Sequence, residues 1–421
     1  MSDLRPRSNR SDRPAAAAGI ARHGRLKKTN PAVTIIKFVA AALAVVLVSG
    51  ASVVAIAFTQ LNGQITSVAL VGETQGPPPD LGSFDGGFNI LIVGSDSRDG
   101  TSEKGPGSEL NDVTMLVHIA QDQSNAVVVS MPRDMVVPIP PCPKSNGKGN
   151  SPAMTGQPIN VTLSYGGLAC TVLTVEALTG LDIPFAGLVK LNGVAQMANA
   201  VGGVDVCVNG PFHDPFTGVT FASAGTYHLE GHTAELFLRS RHGVGDGSDL
   251  GRISSQQVFL SALVRKVKAD DTLTDVTKLY GLANAATQNM TLSNSLSNLN
   301  TMVSMAVVLK DIPLDRITFV QYPSTTGVGG IYQNKVAPVA PAAAALFAKI
   351  KADEPFTLNS GTGRGSVVDP NAPAPAPVAT PAPTSSAAPT TAPVEDAAPP
   401  AVLPGVLGQT AADHTCSKVN N

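Results

Sequence analysis

The sequence is 421 residues long, enough for one large folded domain with appended segments. Tryptophan is absent and aromatic residues make up 4% of the chain, so the core must be built from aliphatic side chains. Residues 1–59 hold nine Lys/Arg and two acidic residues, which leaves 20 basic and 29 acidic residues for the rest. A body with a formal charge of −9 lacks the positive surplus for nucleic-acid binding, and no nucleic-acid partner is expected.

Two segments precede the folded part. Residues 1–32 are basic and rich in Pro, Ala and Ser, which predicts a disordered cytoplasmic tail. The apolar run from Val33 to Phe58 is long enough to cross a bilayer, and Lys37 near its start can reach the interface. A cleaved signal peptide and a buried core helix are the alternatives to a transmembrane helix over residues 33–59. The basic residues before the run predict a cytoplasmic N-terminus and an extracytoplasmic main domain.

Three continuous apolar runs follow a Gly/Pro-rich linker over residues 60–87: residues 88–93, 113–119 and 126–131. Such runs are typical of strands covered on both faces. Charged residues stand where these runs begin or end: Asp96, Arg98, Asp112 and Arg133. Turn chemistry explains any one of them, but loops at strand ends also form the sites of α/β proteins.

The rest of the pattern predicts helices over residues 168–179, 188–201, 230–238, 249–268, 276–289 and 293–309, and strands over 204–208 and 317–323. Residues 138–158 read as a loop and residues 210–228 as a hairpin. The fold class is α/β, a mixed sheet with helices on both faces. Residues 356–421, which include a Pro/Ala/Thr/Ser-rich segment, are predicted to form a disordered C-terminal tail.

The chain contains four cysteines and no CxxC pair, which argues against a zinc site. An even number of cysteines in an exported domain favours disulfides. Cys142 and Cys170 flank one Pro/Gly-rich loop and are the preferred pair. Buried free thiols are the alternative.

The stretch over residues 237–257 concentrates charge in a chain that has little. Its candidate phosphate-binding side chains are Arg239, Arg241, Asp249, Arg252 and Gln256. The first two arginines are two residues apart and point the same way in an extended segment or a frayed helix end. The last three residues share one face of a helix. Converging guanidinium groups match a pyrophosphate. A surface salt-bridge patch is the alternative.

Asp96 and Asp112 occupy adjacent strand loops. Two carboxylates beside a phosphate are what Mg²⁺ or Mn²⁺ requires, with water and substrate oxygens completing the coordination. Together with the arginines they would stabilise the charge that develops on a phosphoryl group during its transfer.

Between residues 88 and 322 the chain carries seven segments in order: NILIVGSDSRDG, NDVTMLVHI, VVVSMPRDM, PINVTLSYGG, VGGVDV, LEGHTAELFLRSRH and SDLGRISSQQVFLSAL. Together they resemble the LytR–CpsA–Psr family of bacterial envelope proteins, and the membrane span and Pro-rich segment suit its actinobacterial branch. The resemblance implies a central mixed sheet flanked by helices, with the catalytic domain over residues 88–355. It also implies transfer of a glycopolymer, often arabinogalactan, from a polyprenyl pyrophosphate carrier to peptidoglycan. Some members hydrolyse polyprenyl pyrophosphates.

By position, the resemblance implies a role for each candidate residue. The implied metal ligands are Asp96 and Asp112, the implied catalytic residues are Arg133, Arg239, Arg241, Asp249 and Arg252, and the implied substrate contacts are Arg98 and Gln256. Leu110, Pro158 and Ser255 stand where many members have a cation. Those departures favour the alternative function, a non-catalytic envelope protein that binds a lipid carrier or glycan, or regulates.

Overall fold

In a computed structural model, the described residues are 32, 35–42, 44–45, 48–49, 65–73, 84–97, 109–144, 148–269, 276–372 and 401–420. The chain divides into two compact units, residues 1–58 and 59–421. In the first unit the described residues are helical, and large apolar side chains such as Ile36 (65%) and Phe38 (72%) are exposed. The rest of the predicted span from Val33 to Phe58, and almost all of the predicted tail before it, lie outside the described residues.

The second unit contains many short strands and a few long ones. In chain order the described strands are β1 (Thr66–Val68), β2 (Phe88–Ser95), β3 (Asn111–Ile119), β4 (Ala126–Met131), β5 (Val136–Ile139), β6 (Cys142–Pro143), β7 (Asn150–Ser151), β8 (Met154–Pro158), β9 (Phe185–Val189), β10 (Val204–Val208), β11 (Phe212–His213), β12 (Thr220–Phe221), β13 (Gly225–Leu229), β14 (Met290–Ser293), β15 (Ile317–Gln321), β16 (Ser324–Thr326), β17 (Val336–Pro338), β18 (Phe356–Leu358), β19 (Ser366–Val368), β20 (Ala401–Leu403), β21 (Gly408–Thr410) and β22 (Thr415–Ser417).

The helices of this unit surround the sheets. They are α1 (Thr162–Thr179), α2 (Leu191–Ala200), α3 (Gly231–Arg239), α4 (Asp249–Ala269), α5 (Val276–Asn289), α6 (Leu299–Asp311) and α7 (Ala340–Lys351). Three short 3-10 turns accompany them at Ile159–Val161, Leu314–Arg316 and Gly330–Tyr332.

An eight-stranded mixed sheet forms the centre of the unit, in the order β1-β14-β9-β2-β3-β4-β15-β21. β2 pairs in parallel with β9 and antiparallel with β3, and β4 pairs in parallel with β15. All six residues of β4 are buried, as the continuous apolar run predicts for a strand covered on both faces. The predicted α/β fold with a mixed central sheet is therefore confirmed.

Helices cover both faces of this sheet. On one face Val172 of α1 and Leu346 of α7 share a core with Leu91 and Leu116 of β2 and β3. On the other face Met305 of α6 packs with sheet residues in a separate core, to which α4 also contributes. Each strand thus buries alternate side chains against a different set of helices.

A second, four-stranded sheet has the order β13-β10-β22-β19. Its strand β10 packs Val204 and Val206 against Phe237 of α3 and Phe259 of α4. Since α4 also contributes Leu260 to the core beneath the central sheet, one helix is packed between both sheets. The start of that helix carries three of the predicted site residues.

The segment predicted to be a disordered tail is largely folded, and that prediction is wrong for residues 356–372 and 401–420. β21 extends the central sheet, and β22 lies between β10 and β19. A disulfide joins Cys207 to Cys416, and Ser255 Oγ of α4 lies 2.8 Å from Ser417 Oγ. The Pro-rich composition ends before these strands, so it did not describe them. Residues 373–400 lie outside the described residues.

Two other predictions need correction. The linker over residues 60–87 contains β1, which pairs in parallel with β14 at the edge of the central sheet. The predicted loop over residues 138–158 contains the short strands β5 to β8. It carries the predicted disulfide between Cys142 and Cys170, whose Cα atoms are 5.1 Å apart.

Helix α1 is kinked next to that disulfide, at Gly166 and Gly167. A Cβ on Gly166 would lie 2.4 Å from Pro143 O and 2.8 Å from Cys170 Cβ, so only glycine fits there. Within the described residues, α1 with its preceding turn (Ile159–Thr179) is long and apolar enough to cross a membrane. It is, however, largely buried against the central sheet, as a core helix is.

Candidate active site

The candidate residues from the first strands meet at one edge of the central sheet. Asp96 directly follows β2, and Asp112 is the second residue of β3, which pairs antiparallel with β2. Arg133 comes two residues after β4, and the end of β4 lies beside the start of β3, where Met131 pairs with Thr114. The alternating strand directions therefore place the end of one strand next to the start of the other.

Arg133 and Arg252 are held by two aspartates. Arg133 Nη1 donates to Asp112 Oδ1 at 2.6 Å, and its backbone N–H donates to Asp249 Oδ2 at 2.9 Å. Arg252 Nη2 donates to Asp249 Oδ1 at 2.5 Å and to the Asp112 carbonyl at 2.9 Å. Asp249 is therefore in an orienting position, because it binds the backbone of Arg133 and the side chain of Arg252.

The electrostatics differ between the acids and the arginines. Burial raises the pKa of Asp96, and the negative charges of Asp112 and Glu109 raise it further, although an N–H bond from Leu110 opposes them. For Arg133, burial disfavours the charge, but Asp112, Asp249 and Asp134 together outweigh burial and the pKa is raised. The arginine stays charged, while the acids at the hairpin end repel each other.

This repulsion between Asp96 and Asp112 bears on whether the two carboxylates would bind a metal ion. A divalent cation between Asp96 and Asp112 would relieve it, and carboxylate oxygens are the ligands that Mg²⁺ and Mn²⁺ accept. The residues therefore fit such an ion, with phosphate and water oxygens completing its coordination.

A cavity of about 330 Å³ opens beside these groups. Its walls are mainly aliphatic and include Ile92, Val194, Met197, Leu260, Leu263 and Val267. Its polar lining consists of Ser95, Asp112, Glu235, Arg239, Arg252 and Gln256. An apolar chamber whose lining also includes charged side chains suits a ligand that is part hydrocarbon and part anion.

Arg239 reaches the cavity from the last turn of α3. Its Nη1 donates to Glu235 Oε1 at 2.7 Å, one turn earlier on the same helix. Gln256 Nε2 donates to the Leu238 carbonyl at 2.9 Å, which ties α4 to the end of α3. The structure thus brings together Arg239, Arg252, Gln256 and Asp112, as the sequence predicted.

Arg241 does not line the cavity. Its Nε donates to the Gly247 carbonyl at 2.9 Å, so the guanidinium closes the glycine-rich turn. The expectation that it points the same way as Arg239, based on an extended segment or a frayed helix end, is not met: Arg239 pairs with Glu235 from the last turn of α3, whereas Arg241 lies beyond the helix and binds Gly247. Arg98 lies outside the described residues.

Sequence reasoning missed Asp214, which organises the loop after Arg239. Its Oδ2 accepts from Ser240 Oγ at 2.6 Å and from the backbone N–H groups of Arg241 and His242 at 2.8 Å each. Burial alone would raise its pKa, but these bonds outweigh burial and lower it strongly. Its position 27 residues before Arg241 gave no sequence signal.

Lys335 and Asp134 were also missed. Lys335 Nζ lies 3.0 Å from Asp134 Oδ1, and Asp134 Oδ2 lies 3.8 Å from Arg133 Nε. Asp134 therefore bridges two cations. Of the positions where a cation was expected, Ser255 faces Ser417, while Pro158 pairs with Val136 on β5.

Comparisons with known proteins agree with this picture. The model of the LytR_cpsA_psr family matches residues 59–347. "Cell wall biosynthesis protein LcpA" of Corynebacterium glutamicum is 29% identical over 67% of this chain, which spans 58% of that protein's length. The polyisoprenyl-teichoic acid–peptidoglycan teichoic acid transferase TagT of Bacillus subtilis is 28% identical over 75% of this chain and 94% of its own.

Solved structures show the same fold. The crystal structure of protein gbs0355 from Streptococcus agalactiae superposes with a TM-score of 0.51 at 21% sequence identity, over 64% of this chain and 88% of that one. The family match covers more than half of the chain and contains all the described site residues. The chain therefore belongs to the LytR_cpsA_psr family.

Proposed function

We propose that this protein is a phosphotransferase that joins a cell-wall glycopolymer, carried on polyprenyl pyrophosphate, to peptidoglycan. The observation that carries the proposal is the mainly aliphatic cavity whose lining includes Arg239, Arg252 and Asp112. The hydrocarbon chain would occupy the aliphatic part, because burying its methylene groups is favourable. The diphosphate would lie beside the two arginines, whose guanidinium groups match its oxygens.

The polar residues of the cavity have different roles in this proposal. Arg239 and Arg252 bind the diphosphate, and Asp249 holds the side chain of Arg252 in place. Arg133, fixed by Asp112 and Asp249, adds positive charge beside them. An acceptor hydroxyl of peptidoglycan attacks the sugar-side phosphorus, a phosphodiester forms and polyprenyl phosphate leaves. With water as acceptor, the same site would act as a polyprenyl pyrophosphatase.

Mg²⁺ or Mn²⁺ would be held by Asp96 and Asp112 and, when bound, would neutralise charge on the diphosphate. Arg241 acts indirectly in this proposal, by holding the turn between α3 and α4. Gln256 holds the end of α3. For Arg98 the proposal keeps the role of a phosphate contact.

The glycopolymer is proposed to be arabinogalactan-like, and the printed name of LcpA, a cell-wall biosynthesis protein, supports a role in the envelope. TagT, by its name, transfers teichoic acid from a polyisoprenyl carrier to peptidoglycan, which supports this class of donor and acceptor. The proposed location is the cell membrane: residues 1–32 in the cytoplasm, residues 33–59 across the bilayer and the folded unit outside. The exposed Ile36 and Phe38 of the first unit support a lipid environment.

The test uses the full-length chain in detergent with a polyprenyl pyrophosphate-linked glycan, peptidoglycan fragments and Mg²⁺. The wild type should form a glycan–peptidoglycan phosphodiester, and Arg239→Ala should lower kcat/KM at least about 100-fold. Arg316→Ala is the matched control, because that exposed arginine precedes β15 at the end opposite Arg133. Equal rates for Arg239→Ala and the wild type would contradict the proposal.

A second candidate is a non-catalytic protein that binds the lipid carrier. The observation in its favour is that Arg133, Arg239 and Arg252 are each already paired with a carboxylate. Saturable binding of the carrier lipid without product formation would establish this alternative.

A further inference from the structure

Glu235 is a buried carboxylate in the cavity wall to which the mechanism above gives no role. Only 5% of the residue is exposed, and it lines the cavity from the middle of α3. One oxygen, Oε1, accepts from Arg239 at 2.7 Å, and the other lies 2.8 Å from His232 Nδ1. A buried carboxylate is costly unless it is paired, so its presence at this position needs an explanation.

We propose that Glu235 is the general base that takes the proton from the acceptor hydroxyl, with His232 as the positioning residue that orients it. This inference rests on the proposed function. It adds to that function the group that generates the nucleophile.

The two acids that line the cavity have different partners. Among the described residues that line it, the carboxylates are Asp112 and Glu235. Asp112 is bound by Arg133 at 2.6 Å, with Arg252 4.0 Å from its other oxygen, and is also a proposed metal ligand. Glu235 depends instead on Arg239, the cation that the proposed diphosphate recruits.

Substrate binding would therefore change the surroundings of Glu235 most. When Arg239 turns to the diphosphate, Oε1 loses its cation and stays in a mainly aliphatic wall, where an unpaired charge is unfavourable. The facing helix α2 carries no ionisable side chain along Leu191–Ala200. A carboxylate in that setting accepts a proton readily, which is what a general base must do.

His232 keeps the carboxylate in place during this exchange. Its side chain is 72% exposed, and it lies one turn before Glu235 on the same helix. Its Nδ1 lies 2.8 Å from Oε2, so that Oε1, the oxygen that Arg239 would release, is the one left to accept the proton. The side chain also connects the buried acid to solvent, so that the proton can leave after the product does.

The step balances. The acceptor oxygen forms a bond to the sugar-side phosphorus, and its proton goes to Glu235 Oε1. The bond between that phosphorus and the bridging oxygen of the diphosphate breaks, and its electron pair leaves on polyprenyl phosphate. No oxidant or further reactant is needed.

The test measures phosphate release from geranylgeranyl pyrophosphate with Mg²⁺ and the full-length chain in detergent, where water is the acceptor. Glu235→Gln preserves the shape of the side chain and keeps one acceptor oxygen for Arg239 but removes the base. It should lower kcat about 100-fold or more while KM changes less than about threefold. Glu235→Asp should retain part of the activity, since it keeps a carboxylate. His232→Ala should lower kcat several-fold without affecting KM, as expected for a positioning residue.

Thr233→Ala, at an exposed position of the same helix, is the matched control and should behave as the wild type. If Glu235 only holds Arg239 in place, Glu235→Gln would change KM and leave kcat unchanged, which overturns the inference. An active Glu235→Gln beside an inactive Arg239→Ala rejects the base and keeps the proposed function. A wild type that neither hydrolyses nor transfers rejects both.

Discussion

Asp249 holds two groups at once, the backbone of Arg133 and the side chain of Arg252. Both Asp249 and Arg252 are buried, at 4% and 5% exposure. The Asp249→Ala variant lacks the nearer acid. Among the described residues, Arg252 would then have Asp112, at 4.0 Å, as its acidic partner. Removing one partner of a buried pair costs about 3–5 kcal/mol, and we expect the free energy of unfolding to fall by about that amount.

Urea denaturation followed by circular dichroism measures this loss. Asp249→Asn keeps an acceptor for Arg133 N–H and should lose less stability than the alanine variant. Equal midpoints for Asp249→Ala and the wild type would mean that Asp112 compensates for the missing acid.

We expect Asp96 to make stability depend on pH and, through its proposed role as a metal ligand, on Mg²⁺. Its pKa is raised in the folded state, so the folded chain holds that proton more tightly than the unfolded chain does. The contribution of Asp96 to stability is therefore lost as pH rises from the ordinary carboxylate pKa through its raised value. At pH 7 and without metal, Asp96→Asn should raise the melting temperature by about 1–2 °C, and near pH 3 it should have little effect.

Metal addition provides the complementary measurement. Mg²⁺ should raise the melting temperature of the wild type at pH 7 and should fail to raise that of Asp96→Asn. A variant that responded to Mg²⁺ as the wild type does would contradict the assignment of Asp96 as a ligand.

Among the elements, β22 is a strand of the second sheet that also contacts α4, the helix that carries Asp249, Arg252 and Gln256. It pairs with β10 and β19, is joined to β10 by the Cys207–Cys416 disulfide, and touches α4 through Ser417. The two cysteines are 209 residues apart, so this crosslink restricts a long loop in the unfolded chain. The chain-entropy relation gives about 5 kcal/mol for such a loop.

Replacing Cys207 and Cys416 by serine should therefore lower the free energy of unfolding by up to about 5 kcal/mol. The matched control is the serine variant of Cys142 and Cys170, which are 28 residues apart, with an expected loss of about 3.5 kcal/mol. Calorimetry under non-reducing conditions measures both. A larger loss in the control would show that strain or residual structure outweighs loop length.

Elements with a strong local pattern were predictable, and those made by distant pairing were not. The runs over residues 126–131 and 204–208 coincide with β4 and β10, and the helix over residues 276–289 coincides with α5. By contrast, β21 and β22 are three residues each, too short to show an apolar period, and their neighbours lie far away in the chain.

The same distinction applies to the site. Asp112 and Arg133 could be selected as candidates because they stand at strand ends, and Asp249 and Arg252 because their spacing places them on one face of a helix. Strand ends and helical spacing are local properties of the sequence. The position of Arg241 depended on where α3 ends, which sequence patterns locate only within a few residues. Glu235 stands four residues before Arg239, and this i, i+4 spacing on a helix is the sequence signal for their ion pair.

At the scale of the whole molecule, the two compact units predict a separable anchor. Deleting residues 1–58 removes the unit that contains the exposed Ile36 and Phe38 and leaves the unit that begins at Thr59. We expect the full chain in the membrane fraction of cells and the exported shorter chain in the soluble fraction. Immunoblotting of the two fractions after a carbonate wash measures this, and a shorter chain that stayed with the membrane would point to a second lipid contact.

The late position of β22 and of the residues after it also determines which part of the molecule can fold first. The loop after Arg239 is secured by residues far downstream: Gly245 N–H donates to the Lys418 carbonyl, and Asn420 Nδ2 donates to the His242 carbonyl at 2.8 Å. Contacts this remote in sequence form late. A chain whose last residues have not yet emerged can therefore assemble the seven strands of its central sheet that precede β21, while the loop after Arg239 is still unsecured. The proposed ligand site would then be completed last.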